Sequence, residues 1–155
     1  MNVSTTVRRI LQSKGGNFWG IAPGAWAYEA LEIMAARDIG ALLVIDNGRL
    51  VGIFSERDYA RKVILKGRSS KETPVEDLMT RPVICVGPDR TLEECMALMT
   101  AKRVRHLPVM DRGSLIGVVS IGDIVNAIIA EQDATIRDLE NYIYNGDYAQ
   151  EPAHS

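Results

Sequence analysis

An internal duplication constrains this fold more than any other feature of the sequence. The segment from Leu42 to Asp58 aligns, 65 residues on, with the segment from Leu107 to Asp123. Between residues 22–65 and 87–130, 13 of 44 aligned pairs are identical, among them Pro23/Pro88, Glu29/Glu94, Met34/Met99, Asp46/Asp111, Gly48/Gly113, Gly52/Gly117, Ser55/Ser120 and Asp58/Asp123. Most of the other pairs exchange apolar for apolar. A fixed long period marks a repeated structural unit, so the chain must be built from two copies of one unit. Each copy ends in Gly-x-x-Ser-x-x-Asp, so any site made by that motif is made twice.

Within each copy the pattern predicts strand, helix, strand, strand, helix. In the second copy Val83-Ile84-Cys85-Val86 is a short β-branched run ended by Gly87-Pro88. Thr91-x-x-Glu94 then forms the signature of a capping box, in which a Thr hydroxyl and a Glu carboxylate each satisfy a free N–H of the helix start. Leu92, Cys95, Met96 and Met99 come next at helical spacing. Leu107–Met110 and Leu115–Val119 are strands joined by Asp111-Arg112-Gly113-Ser114. The corresponding turn in the first copy, Asp46-Asn47-Gly48-Arg49, carries the Asn-Gly pair that tight hairpins favour. A further helix opens at Ser120 and runs through Ile124, Val125, Ile128 and Ile129. Lys66 to Glu72 is a polar connector, expected to be a solvated loop. After it, Thr73-Pro74-Val75-Glu76 predicts a helix start with Thr as N-cap, Pro at the first position and Glu at the third. Arg137–Tyr148 predicts a separate amphipathic helix, and residues 150–155 a disordered tail.

A chain of 155 residues has room for one ordinary domain with a sizeable core. A net charge of -2 argues against a general polyanion binder, so no nucleic-acid partner is expected. No apolar run approaches the roughly 18 residues that a membrane span needs, and the N-terminus lacks the apolar stretch of a signal peptide. A cytoplasmic location with no membrane partner is the expectation. The two cysteines, Cys85 and Cys95, lie in apolar-periodic segments and are expected as buried free thiols.

The repeated Ser-x-x-Asp admits two readings. Ser55-x-x-Asp58 and Ser120-x-x-Asp123 each fit a capping box with Asp in the place of Glu. The same geometry also suits a ligand. A helix start offers free N–H groups and positive partial charge, and an ionised Asp accepts strongly from a vicinal ribose diol. Gly52 and Gly117 permit close backbone approach.

These motifs, in order and repeated, resemble a tandem pair of CBS domains (the cystathionine β-synthase type, or Bateman module). The resemblance rests on Gly-hydrophobic-hydrophobic-Ser-x-x-Asp in both copies, on Arg105-His106-Leu107-Pro108-Val109, and on Met79-Thr80-Arg81-Pro82-Val83. It covers about residues 5 to 130. It implies an α+β fold, sandwich-like, in which two pseudo-symmetric β-α-β-β-α repeats pack sheet to sheet and leave clefts between them. The implied organisation is repeat one over 5–65, a linker over 66–73, repeat two over 74–130, a C-terminal helix over 131–149 and the tail.

The resemblance implies sensing rather than catalysis, with AMP, ADP, ATP, a related adenine nucleotide or S-adenosylmethionine in the clefts and NAD(H) in one of them as a variant. Carried over, Asp58 and Asp123 would hold ribose hydroxyls, while Ser55 and Ser120 would touch ribose or phosphate. The backbone from Thr80 through Arg81 and Pro82 to Val83 would read the adenine edge, with Trp19, Gly20 and Ile21 as the counterpart in copy one. Arg105 and His106 would meet phosphate, and Pro108 and Gly122 complete the ligand set. Arg57, beside Asp58 where copy two has Gly122, could form a basic patch with Arg61 and Lys62 for a pyrophosphate or a partner; a solvated helix face is the alternative.

The copies differ at Gly40-Ala41 against Arg105-His106, and at Trp26 against Thr91, so two unequal sites are expected. Met34, Met79, Met96 and Met99 read as core. Trp19 and Trp26 could stack on a base or pack between the repeats. Gly15-Gly16 lacks the Lys-Ser/Thr context of a phosphate loop. No triad, metal cluster or acid/base carboxylate pair emerges from the sequence. The expected assembly is a homodimer through the exposed helices, acting on an unknown effector protein. The competing functions are a structural adaptor with vestigial sites and, less favoured, a nucleotide-processing enzyme.

Overall fold

A computed structural model describes residues 5–143. The chain is α+β, and each repeat forms its own small sheet. Helix α1 (Val7–Lys14) leads into strand β1 (Gly20–Ile21), helix α2 (Ala27–Arg37) and strands β2 (Ala41–Asp46) and β3 (Arg49–Ser55). A short helix α3 (Glu56–Tyr59) continues as a π turn over Ala60–Ile64. Repeat two carries a 3-10 turn (Val75–Asp77), helix α4 (Leu92–Lys102), strands β4 (His106–Asp111) and β5 (Ser114–Ser120), and helix α5 (Ile121–Asn141).

The duplication is visible in the register. β2 pairs antiparallel with β3, and β4 with β5, each with an irregularity at the equivalent place, Val44/Ile45 and Val109/Met110. The two hairpin turns are built alike. Asn47 and Gly48 have φ of 51° and 78°, and Arg112 and Gly113 have 52° and 80°. Two successive left-handed residues match the twist of the flanking strands, at some steric cost for Arg112, which lacks the tolerance of Asn.

The first strands differ, and proline is the reason. In repeat one the Leu43 N–H donates to Trp19 O, and β1 pairs parallel with β2 at Gly20/Leu43 and Ile21/Val44. Pro108 occupies the Leu43 position of repeat two and has no N–H to give. The expected strand over 83–86 therefore shrinks to one bridge, Val86 to Val109, held by Val86 N–H to Pro108 O and Met110 N–H to Val86 O. Cys85, in this loosened segment, is exposed, contrary to expectation, whereas Cys95 is buried.

The cores do not follow the sequence repeats. Val7 and Ile10 of α1 pack with Val86, Leu92, Cys95, Met99, Leu107, Val109, Val119 and Ile124 of repeat two. Reciprocally, Val75, Leu78 and Met79 pack with Ala27, Ala30, Met34, Leu42, Val44, Phe54 and Val63 of repeat one. Each repeat's lead-in thus completes the core of the other. Fully burying two such aliphatic side chains contributes about 3–6 kcal/mol, so neither lead-in can detach without a large loss, and the repeats are tied into one unit. Bridges Thr6–Thr91 and Trp26–Pro74 close the exchange at equivalent places.

The connector does more than expected of a solvated loop. Trp26 gives α2 no side-chain cap; instead Ala27 N–H donates to Thr73 O and Tyr28 N–H to Ser70 O, which satisfies two of the N–H groups that a helix start leaves free. Thr73 is buried and donates its hydroxyl to Ser69 O rather than capping a helix. The expected helix after it is only the 3-10 turn, whose N-cap is Pro74. The expected separate helix from Arg137 is a continuation: α5 runs unbroken for 21 residues, and positions 144–148 of the expected helix and the tail lie outside the described residues. Met34, Met79 and Met99 are core as expected, but Met96 is exposed on α4.

Candidate functional site

Both Ser-x-x-Asp motifs fold as full capping boxes at the ends of equivalent strands. In repeat one Ser55 Oγ accepts from Asp58 N at 3.2 Å, and Asp58 Oδ2 accepts from Ser55 N at 2.9 Å. In repeat two Ser120 Oγ accepts from Asp123 N at 3.1 Å, and Asp123 Oδ2 accepts from Ser120 N at 2.8 Å. The capping reading of the motif is therefore true. It leaves the ligand reading open, because each carboxylate has acceptor capacity beyond the box.

That capacity is met by the partner repeat's lead-in. Thr80 pairs with Ile53 by two backbone hydrogen bonds, 2.8 and 3.1 Å, and its hydroxyl donates to Asp58 Oδ1 at 3.1 Å. Lys62, one turn on from Asp58, lies 3.3 Å from the same oxygen and donates to Leu78 O at 2.9 Å. In repeat two the contact comes from α1: Lys14 Nζ donates to Asp123 Oδ2 at 2.7 Å and to Val118 O at 2.8 Å. Each carboxylate is thus bonded across the two repeats, but by a hydroxyl in one case and an ammonium in the other.

A length difference produces this asymmetry. Leu11 fills the place above Gly117 that Met79 fills above Gly52, and Ile21 pairs as Val86 does. Ile21 follows Leu11 by ten positions, but Val86 follows Met79 by seven. The three extra residues lengthen α1 and bring Lys14 to Asp123, and Gly15, at φ 94°, ends the helix. Gly16 then passes so close to β5 that a Cβ there would lie 2.6 Å from Ile116 O.

The same register corrects the expected counterpart of the Thr80–Val83 segment. Trp19, Gly20 and Ile21 match Ile84, Cys85 and Val86 instead. Trp19 lies under the Arg37 guanidinium, 4.0 Å from ring centroid to Cζ, and with Gly20, Glu29 and Glu32 lines a shallow concavity on the α2 side. Trp26 is exposed at the N-cap of α2. Of the expected Arg57–Arg61–Lys62 group, Lys62 is drawn to Asp58 and Leu78 O, Arg57 is half-buried and Arg61 is exposed.

Of the other expected residues, Arg105, His106 and Gly122 lie beside the repeat-two box. His106 pairs with Ser120 across the β4–β5 ladder, and Arg105 O accepts from Ile121 N. A Cβ on Gly40 would lie 3.6 Å from His106 Nε2 and 3.3 Å from Glu56 Oε1, so His106 sits where the two repeats meet. Burial holds the His106 imidazole below its ordinary range, as do the charges of Lys14 and Arg105, against the pull of Asp123. At pH 7 His106 therefore supplies a neutral donor or acceptor, and positive charge on this side comes from Lys14 and Arg105. Burial raises the Asp123 carboxyl, but the bonds from Lys14 and Ser120 outweigh it and leave the group below its ordinary range. Gly122 lies in the first turn of α5, where a Cβ would lie 3.6 Å from Ser120 Oγ, whereas Pro108 is buried and its carbonyl anchors Val86. Arg81 and Pro82, joined by a cis peptide, are exposed, and Val83 is half-buried. Lys14 is the one residue at these boxes that no motif in the sequence singles out.

Comparison with known proteins agrees with this architecture. The CBS domain profile matches residues 27–64 and 75–130. A CBS domain-containing protein of Arabidopsis thaliana described as mitochondrial is 40% identical over 156 residues, covering 92% of this chain and 74% of its own. A solved protein with CBS domains from Burkholderia ambifaria is 51% identical at TM-score 0.80, covering 83% of this chain and 96% of that one. A solved CBS domain pair bound to 5'-methylthioadenosine and S-adenosyl-L-methionine has TM-score 0.73 over 83% of this chain and 99% of that one; at 24% identity it shows the fold alone. With two profile matches on two repeats whose cores interlock, the chain belongs to the CBS-domain family.

Proposed function

We propose that this chain is a regulatory module that binds adenine nucleotides at its two capping-box carboxylates. The observation that carries this reading is that Asp58 and Asp123 each accept from a side chain of the other repeat's lead-in. A ribose diol offers two donors to such a carboxylate. A ligand taking the place of Thr80 or Lys14 exchanges a bond between the repeats for one to itself, and so favours one arrangement of the lead-ins over another. Output is then population shift read by an effector protein, not chemistry. Among the described residues no cluster of three His, Cys, Asp or Glu could hold a metal.

The groups present suit a nucleotide: a carboxylate to accept from ribose, Ser hydroxyls beside it, and Arg105 with Lys14 for phosphate. AMP, ADP or ATP is the expected ligand class, and the unlike contacts at Asp58 and Asp123 leave room for NAD(H) at one of them. The neighbour solved with 5'-methylthioadenosine and S-adenosyl-L-methionine supports the class, since its fold accommodates adenosine-containing molecules. One observation favours the adaptor with vestigial sites instead: both carboxylates already have internal partners.

The working assembly is a homodimer through α5, whose exposed face carries Ile121, Val125, Ile129, Ile136 and Leu139. No helix among the described residues is long and apolar enough to cross a membrane. A cytoplasmic setting fits two free cysteines; the mitochondrial relative offers a second compartment with reduced thiols.

The test is calorimetric titration of ligand-free protein with AMP, ADP, ATP, NAD and NADH. Saturable binding lost in Asp58→Ala or Asp123→Ala supports the sensor. Incubation with each nucleotide and then chromatography should return it unchanged; turnover would show an enzyme.

A further inference from the structure

Lys14 is tied to the repeat-two site in a way that has no equivalent in repeat one. Its ammonium bridges Asp123 Oδ2 and Val118 O at 2.7 and 2.8 Å. It reaches them from the last residue of α1, ahead of the left-handed Gly15. The cation at Asp58 is instead Lys62, on the same helical run as Asp58 itself. The position equivalent to Lys62 in repeat two is Ala127. Repeat one thus keeps its cation on its own helix, while repeat two borrows one from another element.

We propose that Lys14 is the specificity-determining residue of the repeat-two site: it closes on the Asp123 carboxylate when no ligand is present and turns to the ligand's phosphate when ribose takes that carboxylate, so that this site selects a phosphorylated nucleoside over a bare one. This rests on the reading that Asp123 holds ribose. A ribose diol can replace the ammonium as donor, but a neutral nucleoside leaves Lys14 without an anion. A phosphate supplies a new one. The compact ammonium on a flexible four-carbon stem can follow a charge over several ångströms. The Lys14 and Asp123 side chains are 37% and 24% exposed, so the pair is wet enough to open. Nearby His106 is neutral at pH 7 and does not replace the lost charge. At Asp58 the donor from the lead-in is the neutral Thr80 hydroxyl, and the cation there, Lys62, belongs to the helical run of Asp58 itself and also donates to Leu78 O.

The experiment compares AMP and adenosine by calorimetric titration of the full chain, in Asp58→Ala protein so that only the repeat-two site reports. The variants are Lys14→Met, which keeps the stem and removes the charge, and Lys14→Arg, which restores the charge. The expected result is a preference for AMP that falls at least tenfold in Lys14→Met, partly because adenosine binds more tightly once its competitor is gone, and that stays within about threefold of the parent in Lys14→Arg. A preference unchanged in Lys14→Met, with both ligands still lost in Asp123→Ala, would overturn the role of Lys14 and leave the nucleotide reading standing. Absence of binding for both ligands in the Asp58→Ala parent would overturn both together. Circular dichroism and the melting temperature establish that each variant is folded.

Discussion

At the scale of single residues, Ser120 and Asp123 hold two tasks that substitution separates. Ser120→Ala removes the hydroxyl that accepts from Asp123 N and should cost about 1 kcal/mol of stability, as loss of an N-cap does, read from denaturant unfolding. Asp123→Ala should in addition abolish nucleotide binding at repeat two; a variant that loses stability but keeps its affinity would leave Asp123 a cap only. His106 gives a pH signature. Its folded pKa lies below the unfolded value of about 6.5, so in the window between them the unfolded chain binds more protons. Stability should therefore fall as pH is lowered through about 6.5. Burial sets this first, with Lys14 and Arg105 acting in the same direction and Asp123 against it, and Glu56 faces His106 across Gly40. His106→Gln should flatten the decline in melting temperature between pH 7 and 5, and an unchanged slope would assign the decline to other groups. The roles of Ser and Asp as caps were readable from spacing alone. The contact of Lys14 with Asp123 was not, since it joins positions 109 apart; its one sequence trace is the longer gap from Leu11 to Ile21.

At the scale of elements, the lead-ins carry the most consequence. Gly52 has no room for a side chain, because a Cβ there would meet Met79 Cγ at 2.8 Å and Met79 Cβ at 3.1 Å. Gly52→Ala should push Met79 and the adjoining Thr80 away from β3, displacing the backbone from Thr80 to Val83 that would read the adenine edge. The measurable outcomes are a lower melting temperature and reduced nucleotide affinity at repeat one with repeat two spared; an equal loss at both would point to global unfolding instead. Hairpins, capping boxes and amphipathic helices were legible because their signals are local, as in Asn47-Gly48 or Thr91-x-x-Glu94. The missing first strand of repeat two was not, although its cause, Pro108, stood in the sequence: Pro108 acts on a partner strand through an absent N–H. The capping of α2 by the connector was hidden for the same reason, since Trp26 supplies no side-chain cap and the substitute comes from Ser70 and Thr73.

At the scale of the whole molecule, the exchange of lead-ins decides how a ligand can act. Val7 and Ile10 sit in one core and Val75, Leu78 and Met79 in the other, so a shift at either carboxylate is felt in both repeats. On the outside of α5, apolar residues recur along one face from Ile121 to Leu139. If this face pairs two copies, Ile136→Lys with Leu139→Lys should convert a dimer to a monomer in sedimentation and leave the fold intact; a wild-type chain that sediments as a monomer would contradict the dimer directly. The duplication itself was fully legible at this scale, and with it the two equivalent boxes, whereas the crossing of the lead-ins was not, because Val7 and Val75 are equally apolar in either core. The central claim is that both carboxylates bind nucleotide. Calorimetric titration of ligand-free protein with AMP tests it most directly, in parallel with Asp58→Ala and Asp123→Ala. Two sites per chain are expected in the wild type and one in each variant. Heat of binding that is absent in the wild type, or unaffected by either substitution, would contradict the claim.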